Sequence, residues 1–117
     1  MKQNIVLDKS FDFAVRIVNL HKFLIQHKKE YVLSKQLLRC GTSIGALVRE
    51  AQHAESNADF IHKLSISLKE ANETEYWLLL LNKTNFIEEN QFESLKTDIE
   101  ELLKLLIAII KKSKEKK

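Results

Sequence analysis

The sequence predicts an all-α protein, folded as a left-handed, up-down-up-down antiparallel four-helix bundle. Its 117 residues include no proline and only two glycines, whereas β-sandwiches and barrels need a turn residue every few positions. Hydrophobic residues make up 44% of the chain and recur at steps of three and four in four successive stretches. That spacing is typical of helices that pack nearly parallel with a left-handed twist. The length fits a single domain over residues 1–117.

The first helix is predicted over residues 10–28, with apolar residues on two faces. We expect the core face to carry Phe11, Ala14, Val18, His21 and Ile25. A second stripe carries Phe13, Ile17, Leu20 and Leu24. A small monomeric bundle should not expose that much apolar surface. The core is therefore unusually broad or the extra stripe meets a partner, and we favour a partner.

The second helix is predicted over residues 32–55, and its interior contains two glycines. Its expected core stripe is Leu33, Leu37, Cys40, Ile44, Leu47, Ala51 and Ala54. Gly41 and Gly45 each cost about 1 kcal/mol relative to alanine in a helix interior. Their spacing predicts a notch for close helix approach. It does not fit a phosphate loop, because the strand context and the terminal Lys-Ser/Thr are missing.

The third and fourth helices are predicted over residues 57–83 and 89–113. The third stripe is Phe60, Leu64, Ser67, Ala71, Thr74, Leu78 and Leu81, and the fourth is Phe92, Leu95, Ile99, Leu102, Leu106 and Ile109. Ser56 is predicted to cap the third helix, with Asp59 completing a capping box. The polar stretch 82–90 separates the two helices, and such short connections make neighbouring helices antiparallel.

The net charge of +3 is distributed unevenly along the chain. Residues 1–49 carry a net +6, residues 50–110 a net −7 and the C-terminal tail 111–117 a net +4. The tail lysines fit either a solvated helix end that complements the helix dipole or a phosphate-binding cluster. The N-terminus lacks a secretory apolar core, and no apolar run approaches the roughly 20 residues of a membrane span. We therefore expect a cytoplasmic protein with no membrane partner.

Few residues suggest chemistry. The single cysteine, Cys40, excludes an internal disulfide and a cysteine-based zinc site. Glu50 and His53 form one Glu-x-x-His pair, whereas di-iron bundles use two such pairs and two further glutamates. The nearest second pair is Asp59 with His62. We expect no metal, no cofactor and no enzymatic activity, since no catalytic dyad is recognisable.

Charged residues on the second and third helices face each other if the bundle is antiparallel. Arg39 and Arg49 lie on the second helix, and Glu70, Glu73 and Glu75 lie on the third. Arg–Glu pairs between them fix the register of the two helices. Ordinary solvated charge is the other interpretation, and both remain open at this stage.

Several segments together resemble one bacterial family. They are the stretch from Tyr31 to Arg39, Ser43 to Ala46, Glu50, Ser56 with Asp59 to Ile61, Leu64 to Ile66, and Glu70 to Leu78. The chain resembles the bacterial four-helix-bundle proteins called the 23S rRNA intervening-sequence or S23 family. The family usually has Ser-Ile-Pro-Ala-Asn-Ile-Ala-Glu-Gly in the second helix. Here Gly45, Leu47, Arg49 and Ala51 replace the proline, the asparagine, an alanine and the glycine.

The resemblance implies a ring-like homopentamer. It also implies kinship with the accessory protein of diversity-generating retroelements, which binds nucleic acid and engages a reverse transcriptase. Three functions follow: a non-catalytic oligomeric scaffold that binds nucleic acid or a nucleic-acid enzyme, a protein-only interaction module, and a metal-binding bundle enzyme. We favour the first.

For the favoured function, the expected contacts with RNA or DNA are basic residues. They are Lys28, Lys29, Lys35, Arg39, Lys111, Lys112, Lys114, Lys116 and Lys117. We expect weak, salt-dependent binding on one basic face. Little base specificity is expected, because no aromatic residue is interleaved with the basic ones to stack a base.

Overall fold

The computed structural model describes residues 4–116, and this part of the chain contains four helices and no strand. The helices are α1 (Ile5–His27), α2 (Leu33–Ala51), α3 (Asn57–Lys83) and α4 (Glu89–Lys114). The predicted fold class is confirmed. Two predicted boundaries are wrong. The first helix begins earlier than predicted, at Ile5, because the Asn4 side chain caps it by accepting a hydrogen bond from the Leu7 amide. The second helix ends at Ala51, since the chain turns there before Ser56 starts α3.

Neighbouring helices run antiparallel, and side-chain bonds mark the pairing. The Arg16 guanidinium of α1 donates a hydrogen bond to the Asp98 carboxylate of α4. Asn57 Nδ2 of α3 donates to the Ser113 carbonyl of α4 at 3.0 Å. The bundle measures 50 × 25 × 21 Å. Its loop end holds residues 28–32 and 84–88. Its terminal end holds the beginning of α1, residues 52–56 and the end of α4.

The core face of α1 is not the one predicted but the neighbouring stripe, about a third of a turn around the helix. Phe13, Ile17, Leu20 and Leu24 are buried, whereas Phe11 is 62% and Val18 36% exposed. Both faces of α1 have helical apolar spacing, so the spacing could not distinguish them. Packing against α2 and α4 decides which stripe is covered.

The predicted stripes of the other helices are mostly confirmed. In α3, every predicted residue except the half-buried Phe60 is buried. Val48 replaces Leu47 as a buried residue of α2, and Ile110 replaces Ile109 in α4. These are shifts of one position at the edge of a correctly placed face.

The capping prediction for α3 is confirmed in a modified form. Ser56 Oγ accepts from the Asp59 amide at 3.0 Å. The Asp59 carboxylate accepts from the amide of Glu55, one residue before the cap, at 3.1 Å. That hydrogen bond, helped by Lys63, holds the pKa of Asp59 below its ordinary value. The cap sets the position at which α3 begins, at the terminal end of the bundle.

The two glycines of α2 form the predicted notch against α1. An added Cβ at Gly41 would meet the Ile17 side chain, and one at Gly45 would lie 3.1 Å from the Ser10 carbonyl oxygen. Across the other side of α2, the buried Ser67 of α3 donates to the Ile44 carbonyl at 2.9 Å. Within residues 4–116, no buried side-chain nitrogen or oxygen lacks a partner. None of the four helices, as far as the structure describes them, is long and apolar enough to cross a membrane.

Candidate nucleic-acid and assembly surfaces

The predicted basic residues fall into two groups at opposite ends of the bundle. Lys28, Lys29 and Lys35 lie at the loop end, where α1 ends and α2 begins. The tail lysines 111, 112, 114 and 116 lie at the terminal end, and Lys117 is outside the described residues. The 26 residues of α4 separate the ends by about 39 Å at 1.5 Å per residue. The nine residues therefore do not form a single basic face.

The loop-end lysines surround a tightly bonded turn. Lys29 adopts a left-handed conformation with φ of 55°, and the next amide, that of Glu30, donates back to the Leu24 carbonyl at 3.0 Å. The Glu30 carboxylate then accepts from the Leu33 amide at 3.1 Å and the Ser34 amide at 2.7 Å. Glu30 thus caps α2, whose own N-cap residue makes no such bond. Its negative charge offsets the positive end of that helix.

An exposed aromatic residue lies within this turn. Tyr31 is 59% exposed and its neighbour Val32 is 72% exposed. The expectation that no aromatic residue is interleaved with the basic ones is therefore wrong at the loop end. The signal was in the sequence, where Tyr31 lies between Lys29 and Lys35.

The tail lysines lie on an exposed helix end. Lys111, Lys112 and Lys114 belong to the last turn of α4, where cations complement the unpaired carbonyls of the helix. Asn57 holds this turn through the Ser113 carbonyl. The arrangement fits a stabilised helix end as well as a binding cluster, so the loop end is the better-defined basic site.

Arg39 joins α2 to α3, and its guanidinium is paired with two carboxylates. Its guanidinium contacts Glu70 Oε1 at 3.3 Å and donates to Glu73 Oε2 at 2.5 Å. Trp77 Nε1 also donates to Glu73 Oε2, at 3.0 Å. The Trp77 hydrogen bond and then Arg39 lower the pKa of Glu73 below its ordinary value. Arg39 and Glu73 thus link α2 to α3 at the surface of the bundle, with side chains that are 51% and 36% exposed.

Arg49 and Glu75, named with them in the sequence analysis, behave differently. Neither forms an ion pair with another residue of the described chain. The solvated interpretation therefore fits these two residues.

The exposed stripe of α1 forms an apolar surface that consists of Phe11, Val15 and Val18, and we call it the α1 face. These residues are 62%, 45% and 36% exposed. Phe11 borders a groove of about 740 Å³ between α1 and α2. The groove is lined by Leu7, Asp8, Phe11, Asp12, Ala14, Thr42, Gly45, Ala46 and Arg49. Asp8, Asp12 and Arg49 all line this groove, so the α1 face is apolar with charges of both signs beside it.

A second apolar surface lies on α3. Tyr76 and Leu79 are exposed, and Lys69 and Lys83 lie on the same side of the helix, one or two turns away. We call Tyr76 and Leu79 the α3 face. Glu75, four residues before Leu79, also lies beside this face, so its border carries charges of both signs. Because α1 packs against α2 and α4 and not against α3 in the described chain, the two faces lie on different sides of the bundle.

The remaining candidates for chemistry show little organisation. Between residues 4 and 116, no three His, Cys, Asp or Glu side chains are grouped closely enough to hold a metal ion. Glu50, His53 and His62 are exposed at the terminal end. Cys40 is fully buried, and this burial raises the pKa of its thiol. A buried, protonated thiol is a poor nucleophile.

The fold and these surfaces define a four-helix-bundle protein with separate apolar and basic faces. A family model described as 23S rRNA-intervening sequence protein matches residues 2–108, and the chain belongs to this family. It is also similar to a solved structure from Bacteroides thetaiotaomicron VPI-5482, described as a protein of unknown function from the S23 ribosomal protein family. The two are 64% identical with a TM-score of 0.90, over 91% of this chain and 98% of the other. No curated protein matches the chain.

Proposed function

We propose that this protein is a non-catalytic scaffold that assembles with copies of itself and binds nucleic acid through repeated lysine clusters. The observation that carries the proposal is the α1 face, an apolar surface that the monomer leaves uncovered. An uncovered apolar surface of this kind marks an interaction site more often than a simple solvated face. Repetition of a lysine cluster in an assembly strengthens binding that is weak at one cluster.

The partner surface that fits the α1 face is the α3 face of another copy. Asp12 lies beside the first and Lys69 and Lys83 lie beside the second, so these residues of opposite charge can pair across the contact. Since the two faces lie on different sides of the bundle, the contact is heterologous, and such a contact closes into a ring or continues as a chain. A ring of five subunits is what the family resemblance implies.

The assembly is tested by light scattering at micromolar concentration. We expect an oligomer from the natural chain and smaller species from Phe11→Lys and Leu79→Glu. Each change places a like charge against the border of its proposed partner surface. Ile107→Lys is the matched control, because Ile107 is an exposed apolar residue of α4 outside both faces. A monomer mass for the natural chain contradicts self-assembly, and a control that dissociates as readily as the others contradicts the assigned faces.

The nucleic-acid part is tested by titrating labelled RNA and single-stranded DNA at about 50 and 200 mM salt. Phosphate contacts release counterions, so affinity should fall steeply between these concentrations. Two triple variants that remove equal charge compare the two ends: K28Q/K29Q/K35Q and K111Q/K112Q/K114Q. We expect the loop-end triple to lose more affinity. Absence of binding at the lower salt favours the protein-only interaction module.

A further inference from the structure

We propose that Tyr31 is a stacking platform for an unpaired base, so that the loop end is a site for single-stranded nucleic acid in preference to duplex. The inference rests on the nucleic-acid part of the proposed function and names the ligand class of that site. It depends on three features of the loop end: an exposed ring on an anchored turn, uncompensated positive charge beside it, and a neighbouring polar groove.

The turn that carries Tyr31 is held on both sides. Before it, the Glu30 amide is bonded to the Leu24 carbonyl at 3.0 Å. After it, the Glu30 carboxylate receives the Leu33 and Ser34 amides, and the Ser34 hydroxyl donates to the Glu30 carbonyl at 2.7 Å. The backbone on either side of Tyr31 is thus anchored, while the residue remains 59% exposed. Anchoring the backbone reduces the conformational entropy that the loop loses when a base stacks on the ring.

Three lysines lie close to Tyr31 in the chain: Lys28, Lys29 and Lys35. The Lys28 ammonium lies 5.8 Å from the centre of the Phe23 ring, and the Lys29 ammonium donates to the Gln26 carbonyl at 3.0 Å. Both partners are neutral, so neither cancels the lysine charge. Among residues 4–116, no carboxylate pairs with Lys28, Lys29 or Lys35. Phosphates on either side of a stacked base therefore have cations within reach.

The acidic residue of the turn does not remove this attraction. Both carboxylate oxygens of Glu30 accept backbone amides at the beginning of α2. Its charge is thereby directed at the positive end of the helix dipole. A phosphate near the lysines meets a carboxylate whose charge is already partly offset.

A groove of about 790 Å³ continues from Lys28 towards the α3–α4 connection. Amide side chains line much of it, those of Asn82, Asn85, Asn90 and Gln91. Amides present both donors and acceptors, the groups that bond to the edges of unpaired bases. Glu88 and Glu89 also line the groove and repel phosphate. The groove therefore suits bases, while the phosphates remain on the Tyr31 side, beside the lysines.

Only an unpaired strand can use these features together. In a duplex the bases are stacked on each other and their faces are not available to a protein ring, whereas a single strand can place a base on an aromatic side chain. Stacking on one ring changes affinity by about 5- to 100-fold on alanine substitution. Electrostatic attraction to phosphates alone does not make a protein prefer a single strand to a duplex.

The test compares a labelled 12-nucleotide single strand with the blunt duplex of the same sequence, by fluorescence anisotropy in 50 mM salt. The variants are Tyr31→Ala and Tyr31→Phe, with Val32→Ala as the control because Val32 is a neighbouring exposed side chain without an aromatic face. We expect the natural chain to prefer the single strand. Tyr31→Ala should lower the affinity for the single strand by about 5- to 100-fold and change the affinity for the duplex little. Tyr31→Phe and Val32→Ala should keep the affinity of the natural chain for both probes.

The outcomes separate this inference from the proposed function. Equal binding of both probes, with no effect of Tyr31→Ala, overturns the stacking site and leaves a nucleic-acid scaffold. A loss in Tyr31→Phe as large as in Tyr31→Ala also overturns it, because phenylalanine keeps the ring. Failure of the natural chain to bind either probe overturns the nucleic-acid function and the stacking site together.

Discussion

Gly41 of α2 lies directly against Ile17 of α1. A Cβ at position 41 would come within 2.9 Å of both Cγ1 and Cγ2 of Ile17. Those atoms belong to the branch point of a fully buried side chain, which cannot move aside by turning a flexible end. The absence of a side chain at Gly41 therefore sets how closely α1 and α2 approach.

Gly41→Ala is expected to destabilise the protein by about 1 kcal/mol. Alanine gains about 1 kcal/mol in helix propensity, but overpacking a filled core costs about 1–3 kcal/mol. The measurement is urea unfolding at fixed protein concentration. In an Ile17→Ala background, which removes the clashing atoms, the same change at position 41 should become stabilising. Destabilisation in both backgrounds contradicts the assigned contact.

Lys29→Gly is expected to stabilise the protein by about 0.5–1 kcal/mol, since glycine adopts a positive φ without the cost that a Cβ imposes. Lys29→Ala retains the Cβ and should give no gain, so it is the matched control in thermal unfolding. The same Lys29→Gly variant removes a lysine from the proposed site, and its affinity for nucleic acid should fall while its stability rises. Equal stability of the glycine and alanine variants contradicts this account.

Glu73 is expected to make stability depend on acid pH. Its pKa is lowered in the folded protein by Trp77 and Arg39. The ionised Glu73 therefore stabilises the folded protein at pH values above the ordinary pKa of 4.5. This stabilisation is lost as the pH falls through the lower pKa of the folded state. Glu73→Gln should reduce the slope of stability against pH in that acid range. Glu75→Gln is the control, because Glu75 makes no hydrogen bond or ion pair with the described residues; an equal effect there contradicts the prediction. Asp59, whose pKa is also lowered, keeps part of the slope in both variants.

Cys40 is expected to react slowly with a thiol reagent at neutral pH. Its side chain is fully buried and its thiol pKa is raised by that burial, so both access and thiolate content are low. Labelling should accelerate in urea in step with the loss of helix signal. Rapid labelling of the native protein, at the rate of a free thiol, contradicts the packing of Cys40 between the helices.

The assignment of the core shows where periodicity is sufficient and where it is not. The predicted stripe of α3 follows its full length, and six of its seven positions are buried. α1 has two stripes of equal spacing, and the spacing predicts the wrong one as the core face. Phe11 and Phe13 are the same type of residue, and only the helices packed around α1 decide that Phe13 is covered and Phe11 is not.

The candidate sites show the same division. The lysines and Tyr31 are plain in the sequence, but their number and charge do not show that residues 28–39 and 111–117 lie on different surfaces. The alternating direction of the helices places them at opposite ends, which the predicted topology already contained. Arg39 was recognised as a partner for Glu70 and Glu73 and also counted as a phosphate ligand, and its contacts in the structure favour the first role.

The sequence by itself determined the number of helices, the all-α class, the break around residues 82–90 and the capping residue Ser56. These features depend on local backbone preference and on apolar spacing along one helix, and residues close together in the chain determine both. Only the tertiary structure decided which face of α1 is buried and which charges meet across helices. Those outcomes depend on distances between residues far apart in the chain, which are set by how the four helices pack against one another.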